Sequence, residues 1–458
     1  MKFIHAADLH VDSPLRGLDS YDGAPVERLR GATRLALIAL VDLALAESVD
    51  LVILAGDIYD GNWADFRTGL FFREQMLRLT RAAIRVFIVK GNHDAESQIT
   101  RQLPAVAGVH VFSSQKSETI EIEALEVALH GRSFPGRAVP EDLVPDYPAA
   151  RPGKFNIGIL HTSLNGRSGH DPYAPTSVAV LGAKGYDYFA LGHVHAREVV
   201  QEADPRIVYP GNLQGRHAKE TGAKGCELVT VSGGRISSAV FVALDVVRWH
   251  HLEIDVSSID SVDALARTFI AQGTALAASA RERLHAVRVQ LQGESALHQL
   301  EAEQPGSLAA AILAATQEFE DIDLWVEQVK LDLRSPFDRN AAAAREDALG
   351  EVVRLVDALA ADDGELRAWI TTHLGELGAL PAGFGEADPA ALSIGAMRAV
   401  LADAEATVLA QLHDATLARV PADATQPEQA PVGMHAGAGA GSGGGGHGDT
   451  AADLRSAP

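Results

Sequence analysis

Leu51-Val52-Ile53-Leu54-Ala55-Gly56-Asp57 decides how this chain folds. A short run of apolar and β-branched residues that stops at Gly-Asp reads as a buried strand ended by a turn. Four other stretches share the layout. Phe3-Ile4 leads to Asp8-Leu9-His10, and Val86-Phe87-Ile88-Val89 leads to Gly91-Asn92-His93-Asp94. Ile157-Gly158-Ile159-Leu160 ends at His161, and Tyr188-Phe189-Ala190-Leu191 runs into Gly192-His193-Val194-His195. Each places acidic or metal-seeking side chains just past an apolar run. If the five are strands of one sheet, these side chains converge beyond the carboxyl ends of the strands, where open α/β sheets bind ligands.

The donor types define the chemistry. Carboxylate, carboxamide oxygen and imidazole nitrogen suit hard or borderline divalent ions. Cys226 is the single cysteine, which excludes an intramolecular disulfide and a cysteine-clustered zinc site, and fits a reducing cytosol. Asp8 and His10, two residues apart, can be aimed at one ion by an extended turn. Asp57 has two oxygens to share between two ions, Asn92 offers its amide oxygen, His193 and His195 can divide between the ions, and His161 completes the set. Two ions roughly 3.5–4 Å apart activate a water and clamp the attacking and leaving oxygens of a phosphoryl group. The pattern reads as a metal-dependent hydrolase.

With 458 residues the chain has room for two or three domains, and 47% apolar residues suit a soluble globular protein. The start lacks a signal-peptide core, and the longest apolar stretch, Thr33 to Ala46, contains Arg34 and Asp42 and is too short to span a bilayer. A cytoplasmic, non-membrane protein is expected. The net charge of −22 is uneven: residues 251–458 carry 13 Lys and Arg against 32 Asp and Glu. No basic block marks a nucleic-acid footprint, which counts against tight autonomous DNA binding but not against a phosphodiester substrate.

The alternation of strands with the helical stretches Arg28–Glu47 and Phe66–Ala82 makes residues 1–245 a layered α/β domain. Residues 246–335 read as a small α+β cap: strand Leu252–Val256, helix Val262–Leu284, strand Ala286–Gln292, helix Ser307–Phe319 and strand Leu324–Leu333. Residues 336–420 form a helical C-terminal region, with apolar periodicity at Val352, Val353, Leu355, Val356 and Leu359. Residues 421–458, with Gly441-Ser442-Gly443-Gly444-Gly445-Gly446, form a Gly-rich tail that cannot offset its chain entropy and is expected to be disordered.

In this order, Asp-x-His, Gly-Asp, Gly-Asn-His-Asp, His and Gly-His-x-His resemble the calcineurin-like metallophosphoesterase superfamily. Phe3-Ile4-His5-Ala6-Ala7-Asp8-Leu9-His10-Val11-Asp12-Ser13-Pro14, Ala55-Gly56-Asp57-Ile58-Tyr59-Asp60 and Leu191-Gly192-His193-Val194-His195 narrow the resemblance to SbcD-type DNA repair exonucleases of the YhaO-like branch. The motifs cover about residues 1–215. The resemblance implies a β-sandwich core flanked by helices and two divalent ions, preferentially Mn2+. It assigns Asp8, His10, Asp57 and His195 to one ion and Asp57, Asn92, His161 and His193 to the other. His93 is implied to be catalytic without binding metal, with Asp94 orienting it. The implied reaction is phosphodiester hydrolysis by exo- or endonuclease action in DNA repair, with an SMC-like coiled-coil ATPase of the SbcC type as partner. Residues 341–414 are the candidate docking surface, and a homodimer is left open.

Related nucleases often carry a His three residues after the bridging Asp; here Asp60 stands there, and its carboxylate would repel a phosphate unless paired or turned away. Two rival readings stay open: a phosphodiesterase or phosphatase for a small phosphoester, and a scaffold for the ATPase with weak or no nuclease activity. Singly, Asp94 is equally a turn or cap residue, Asp12 reads as a cap, and His5 and His130 read as core histidines. Arg167, His170 and Arg216 read as solvated loop residues. Gly211-Asn212 is equally an ordinary turn or part of the site.

Overall fold

The computed structural model describes residues 1–13, 23–60, 66–96, 105–164, 173–335, 339–376 and 392–417. The Gly-rich tail expected over 421–458 lies outside these residues, as do Arg167 and His170. Strands β1 (Lys2–Ala6), β2 (Leu51–Ala55), β3 (Arg85–Val89) and β4 (Val109–Val111) lie parallel in one sheet. A second sheet holds β5 (Glu118–Ile122), β6 (Val127–Gly131), β7 (Phe155–His161), β8 (Tyr188–Gly192), β9 (Glu198–Gln201) and β10 (Arg206–Tyr209), in the order β5-β6-β7-β8-β10-β9. The chain then returns to the first sheet with β11 (Gly225–Ser232), antiparallel to β1, and β12 (Arg235–Ala243) at its edge. The five motif-bearing strands therefore do not share one sheet. β1, β2 and β3 belong to the first, β7 and β8 to the second. Apolar runs ending in turns say where strands stop, but not which strands exchange hydrogen bonds.

Period-two alternation builds the layers. Phe3, Leu51, Ile53 and Phe87 face the second sheet and meet Val127, Leu129, Ile157 and Tyr188 there. The alternate residues Ile4, Val52, Leu54, Val86 and Ile88 face the helices, where Ala36, Leu37 and Leu40 of helix Val26–Ala46 and Met76 and Leu79 of helix Phe66–Arg81 cover them. The outer face of the second sheet buries Leu160, Phe189, Leu191 and Tyr209 against Phe134, Leu143 and Leu164. Apolar side chains cover both faces of both sheets, so the polar motifs have one place to collect, the rim where strands end.

His5, inside β1, is a core histidine: its Nδ1 is 2.9 Å from the Tyr188 hydroxyl and its Nε2 3.1 Å from the Leu191 carbonyl. Burial pushes it down from 6.5 to about 3, so below pH 6.5 the unfolded chain takes up a proton that the folded one refuses. Stability should fall with pH through that window by up to about 1.4 kcal/mol per unit from this group alone. In His5→Gln, urea denaturation at pH 7.5 and 5.5 should show about 1 kcal/mol less acid destabilisation than in the wild type. Equal losses would mean that His5 is charged or solvated.

Residues 247–334 form a separate parallel sheet of β13 (Val247–Asp255), β14 (Leu284–Glu294) and β15 (Asp323–Arg334), with helices Val262–Ala277 and Ser307–Ala315 sharing its core. The first helix stops at Ala277 rather than Leu284, because residues 278–283 turn the chain so that β14 can lie beside β13. Leu29 and Ala32 pack on Trp249, Ala286 and Trp325, joining this module to the first domain.

The described C-terminal region is helical, over Arg339–Ala343, Ala348–Ala361, Asp363–Glu376 and Ile394–Leu417. Much of its apolar periodicity is used internally: Leu359 packs with Leu366, Ile370, Met397 and Leu401, and Val353 with Leu349 and Leu409. Leu355 alone of the expected docking set is largely exposed, at 52%. Among the described residues no helix is long and apolar enough to cross a membrane.

Candidate metal centre

The carboxyl ends of β1, β2, β3, β7 and β8 meet at one rim. Beyond β1 the chain stays tied to the segment after β2: Asp8 N donates to Gly56 O, His10 N to Asp57 O and Val11 N to Ile58 O, at 2.9–3.0 Å. This pairing fixes Asp8 and His10 beside Asp57. Asp8 (φ 51°), His10 (φ 42°), Asp57 (φ 53°) and His193 (φ 106°) all have positive φ. Such backbone costs a non-glycine residue roughly 1–3 kcal/mol and persists where the surroundings impose it, which is common at functional sites. Gly91 allows close approach: a Cβ there would collide with Asp57 Oδ1 and the His161 ring.

The seven predicted donors gather here. Asp57 Oδ2 lies 3.4 Å from His161 Nε2 and 3.9 Å from His10 Nε2, between the two rings. Asn92 Oδ1 is 3.1 Å from His161 Nε2. His10 Nε2 and His195 Nε2 face each other at 3.2 Å, and Asp8 Oδ1 is 3.9 Å from His195 Nε2. His193 donates its amide to Asp8 Oδ2 at 3.0 Å, and its ring packs edge-on against His161. Except for the half-exposed rim residue His195, these groups are buried.

These residues fit a pair of cations. His161 donates Nδ1–H to the Ala55 carbonyl at 2.9 Å, so Nε2 faces the oxygens of Asp57 and Asn92. A cation bound there would take the place of the proton that the ring otherwise holds on Nε2. Burial alone would lower the His161 pKa, but the Asp57 and Asp8 carboxylates outweigh it and raise the ring to about 9. The carboxylates demand a positive charge at that nitrogen, and a divalent ion supplies one. Asp8, Asp57 and His161 form one group of mutually close donors, and Asp8, His10 and His195 another.

The supporting residues differ from expectation. His93 Nδ1 lies 3.1 Å from Asp60 Oδ1, so Asp60 rather than Asp94 engages its ring. Asp94 is turned inward, accepting backbone N–H from Tyr59 and Gly91 at 3.0 and 3.1 Å, which makes it a clasp between two loops. Burial, with help from Asp57, raises its pKa to about 6. Asp60 is paired, also accepting from Ser13 Oγ at 2.6 Å, which removes the bare carboxylate that its position suggested. Asp12 accepts from Arg34 Nε at 2.7 Å and from the Thr68 hydroxyl, tying both helices to the rim, while the turn it is expected to cap runs outside the described residues.

Glu220 belongs to no motif in the sequence. It is buried, and its Oε1 lies 2.7 Å from His195 Nδ1 while Oε2 accepts from Asn212 Nδ2 at 2.9 Å. Burial would raise its pKa, but His195 and Arg216 hold it well below the usual carboxylate range. It therefore turns His195 Nε2 toward the centre. A carboxylate in this role tightens metal binding, so Glu220→Gln should weaken Mn2+ affinity by about 10–100-fold in a chelator competition. Unchanged affinity would show that His195 needs no such support.

A family model of the calcineurin-like phosphoesterase matches residues 1–197, and one of the middle domain of metallophosphoesterase YhaO matches residues 249–334. The chain carries a calcineurin-like phosphoesterase domain followed by a YhaO middle domain. Calcineurin-like phosphoesterases are hydrolases acting on phosphoester bonds. The chain is 38% identical over 268 residues to the uncharacterized metallophosphoesterase YhaO of Bacillus subtilis, across 58% of this chain and 65% of that protein. It is thus matched over slightly less than two thirds of that relative's length. It is 21% identical over 282 residues to the DNA double-strand break repair protein Mre11 of Methanocaldococcus jannaschii, across 59% of this chain and 68% of that protein. Among solved structures, a dimetal phosphatase from Danio rerio is similar, with 14% identity and a TM-score of 0.33 over 51% of this chain and 93% of that one. The YhaO middle domain coincides with the sheet of β13, β14 and β15 and its helices.

Proposed function

We propose that the chain is a two-metal phosphodiesterase whose substrate is DNA, with Mn2+ as its ion and the cytoplasm as its place of work. The observation that carries this reading is Asp57 Oδ2 standing between His10 and His161, where one carboxylate can serve two ions. Asp8, His10, Asp57 and His195 would hold one ion, and Asp57, Asn92, His161 and His193 the other. When bound, the pair supplies Lewis acidity that makes water nucleophilic near neutral pH and neutralises charge on the phosphoryl oxygens. His93, held at Nδ1 by Asp60, keeps a proton at the edge of the site and delivers it to the leaving oxygen. The Asp60 hydrogen bond favours that proton, raising the His93 pKa against the effect of burial. His161 and His195 are oriented through Nδ1, and Asp94 holds the loop that presents Asn92 and His93.

The similarity to a DNA double-strand break repair protein across 59% of this chain supports DNA as substrate. An SMC-like ATPase of the SbcC type is the partner we propose, on the resemblance of the motifs alone. Leu355, Trp369, Val400 and Val408 of the helical region are exposed apolar residues that such a partner could cover. The net charge of −22 favours the second reading, a small phosphoester, because an acidic surface repels a polyanion unless a partner contributes basic groups. The deciding experiment incubates the full chain and Mn2+, Mg2+ or Zn2+ with end-labelled duplex DNA and with chromogenic mono- and diesters, with and without the ATPase. DNA cleavage that is strongest with Mn2+ and stimulated by the ATPase is expected. Turnover of chromogens with intact DNA in every arm would select the small-phosphoester reading.

A further inference from the structure

We propose that Arg216 grips the phosphate of the substrate beside His93, a role that rests on the phosphoesterase reading above. The segment after β10 carries Arg216 to the rim of the metal centre, where its side chain is 15% exposed. Its contacts are all long. Nη1 lies 3.3 Å from Ser13 Oγ and 3.6 Å from Asp60 Oδ2, and Nη2 lies 3.4 Å from both Glu220 Oε1 and His195 Nδ1. Nε is buried and has no hydrogen-bond partner among the described residues. A guanidinium committed to a carboxylate closes to about 2.7–2.9 Å.

The acceptors around it make their shorter bonds elsewhere. Asp60 takes Ser13 at 2.6 Å and His93 at 3.1 Å. Glu220 takes His195 at 2.7 Å, Asn212 at 2.9 Å and the backbone amide of Arg216 itself at 2.7 Å. The neighbouring cation, Lys224, is turned to the His195 carbonyl at 2.8 Å. Arg216 is thus a loosely satisfied cation held between the Asp60–His93 pair and the Glu220–His195 pair. A phosphate resting on it would lie against both the proton donor and one half of the metal centre. The planar fork of arginine matches two phosphate oxygens, which a lysine ammonium cannot. The purely architectural alternative is that Arg216 only braces Glu220 and Ser13.

The test uses the full chain loaded with Mn2+. In Arg216→Gln, the Kd for inorganic phosphate, measured by calorimetry, and the KM for bis(p-nitrophenyl) phosphate should both rise tenfold or more. The kcat should stay within a few-fold and the bound metal should not change, with Arg216→Lys intermediate. In the wild-type chain loaded instead with diamagnetic Zn2+, the Arg216 Nε–H resonance, identified by its loss in Arg216→Lys, should shift on phosphate addition. An unshifted resonance at saturating phosphate would overturn the proposal, as would unchanged Kd and KM with both metals retained. Loss of metal in Arg216→Gln with an unshifted wild-type resonance would assign Arg216 the bracing role instead. A wild-type chain that neither binds nor hydrolyses phosphoesters with Mn2+ would sink the functional reading itself, before Arg216 comes into question.

Discussion

Replacing Asp57 by Asn is expected to lower phosphodiester hydrolysis by on the order of 10³-fold or more and to reduce bound metal from two ions per chain to one or none. Asp57 is buried at the junction of the two sheets, with Oδ2 facing His10 and His161 and Oδ1 accepting the His93 amide at 3.0 Å. Asn keeps the shape and the amide contact but removes the charge and one of the two acceptor atoms. Several kcal/mol of transition-state stabilisation are at stake, because the same group serves both ions. The neighbouring histidines hold the Asp57 carboxyl far below its ordinary value despite burial, so in the wild type it stays ionised throughout the usable pH range. Metal content by mass spectrometry and turnover of a chromogenic diester check the result together. An Asp57→Asn chain with two ions and near-normal turnover would remove the bridging role.

His93→Ala should behave differently. Hydrolysis is expected to fall by about 10²–10⁴-fold while both ions remain bound. His93 stands beside the donor set at its edge: its ring is 32% exposed and paired through Nδ1 with Asp60, and it meets His10 edge-on at 5.1 Å between ring centroids. Its loss removes a proton donor and spares the seven proposed ligands. Loss of the metals along with activity would instead make His93 a ligand, since His10, Asp60 and His93 also lie close enough together to share an ion.

What was legible in the sequence was what strand chemistry writes locally. Asp57 was readable because Leu51–Ala55 reads as a buried strand and Gly56-Asp57 stops it; the same holds for His161 and for Gly192-His193. The pairing of those strands into two sheets was not readable, since hydrogen-bond partners are set by non-local packing of faces such as Phe3 on Tyr188. The supporting residues were missed for a related reason. Glu220 lies 25 residues after His195, and no apolar run or fixed spacing announces the contact. Asp60 carried half a signal: an acid where a histidine was expected repels a phosphate unless it is paired, and nothing local in the sequence says that Ser13 and His93 pair it. Periodicity at Val353 and Leu359 marked a buried face, but periodicity cannot say whether the cover is another protein or the neighbouring helices.

The central claim is that two ions occupy this rim. Anomalous diffraction at the manganese edge from crystals grown with Mn2+ tests it most directly. Two peaks about 3.5–4 Å apart are expected, with Asp57 touching both, Asp8, His10 and His195 at one, and Asn92, His161 and His193 at the other. A single peak, or peaks that Asp57 does not join, would contradict it.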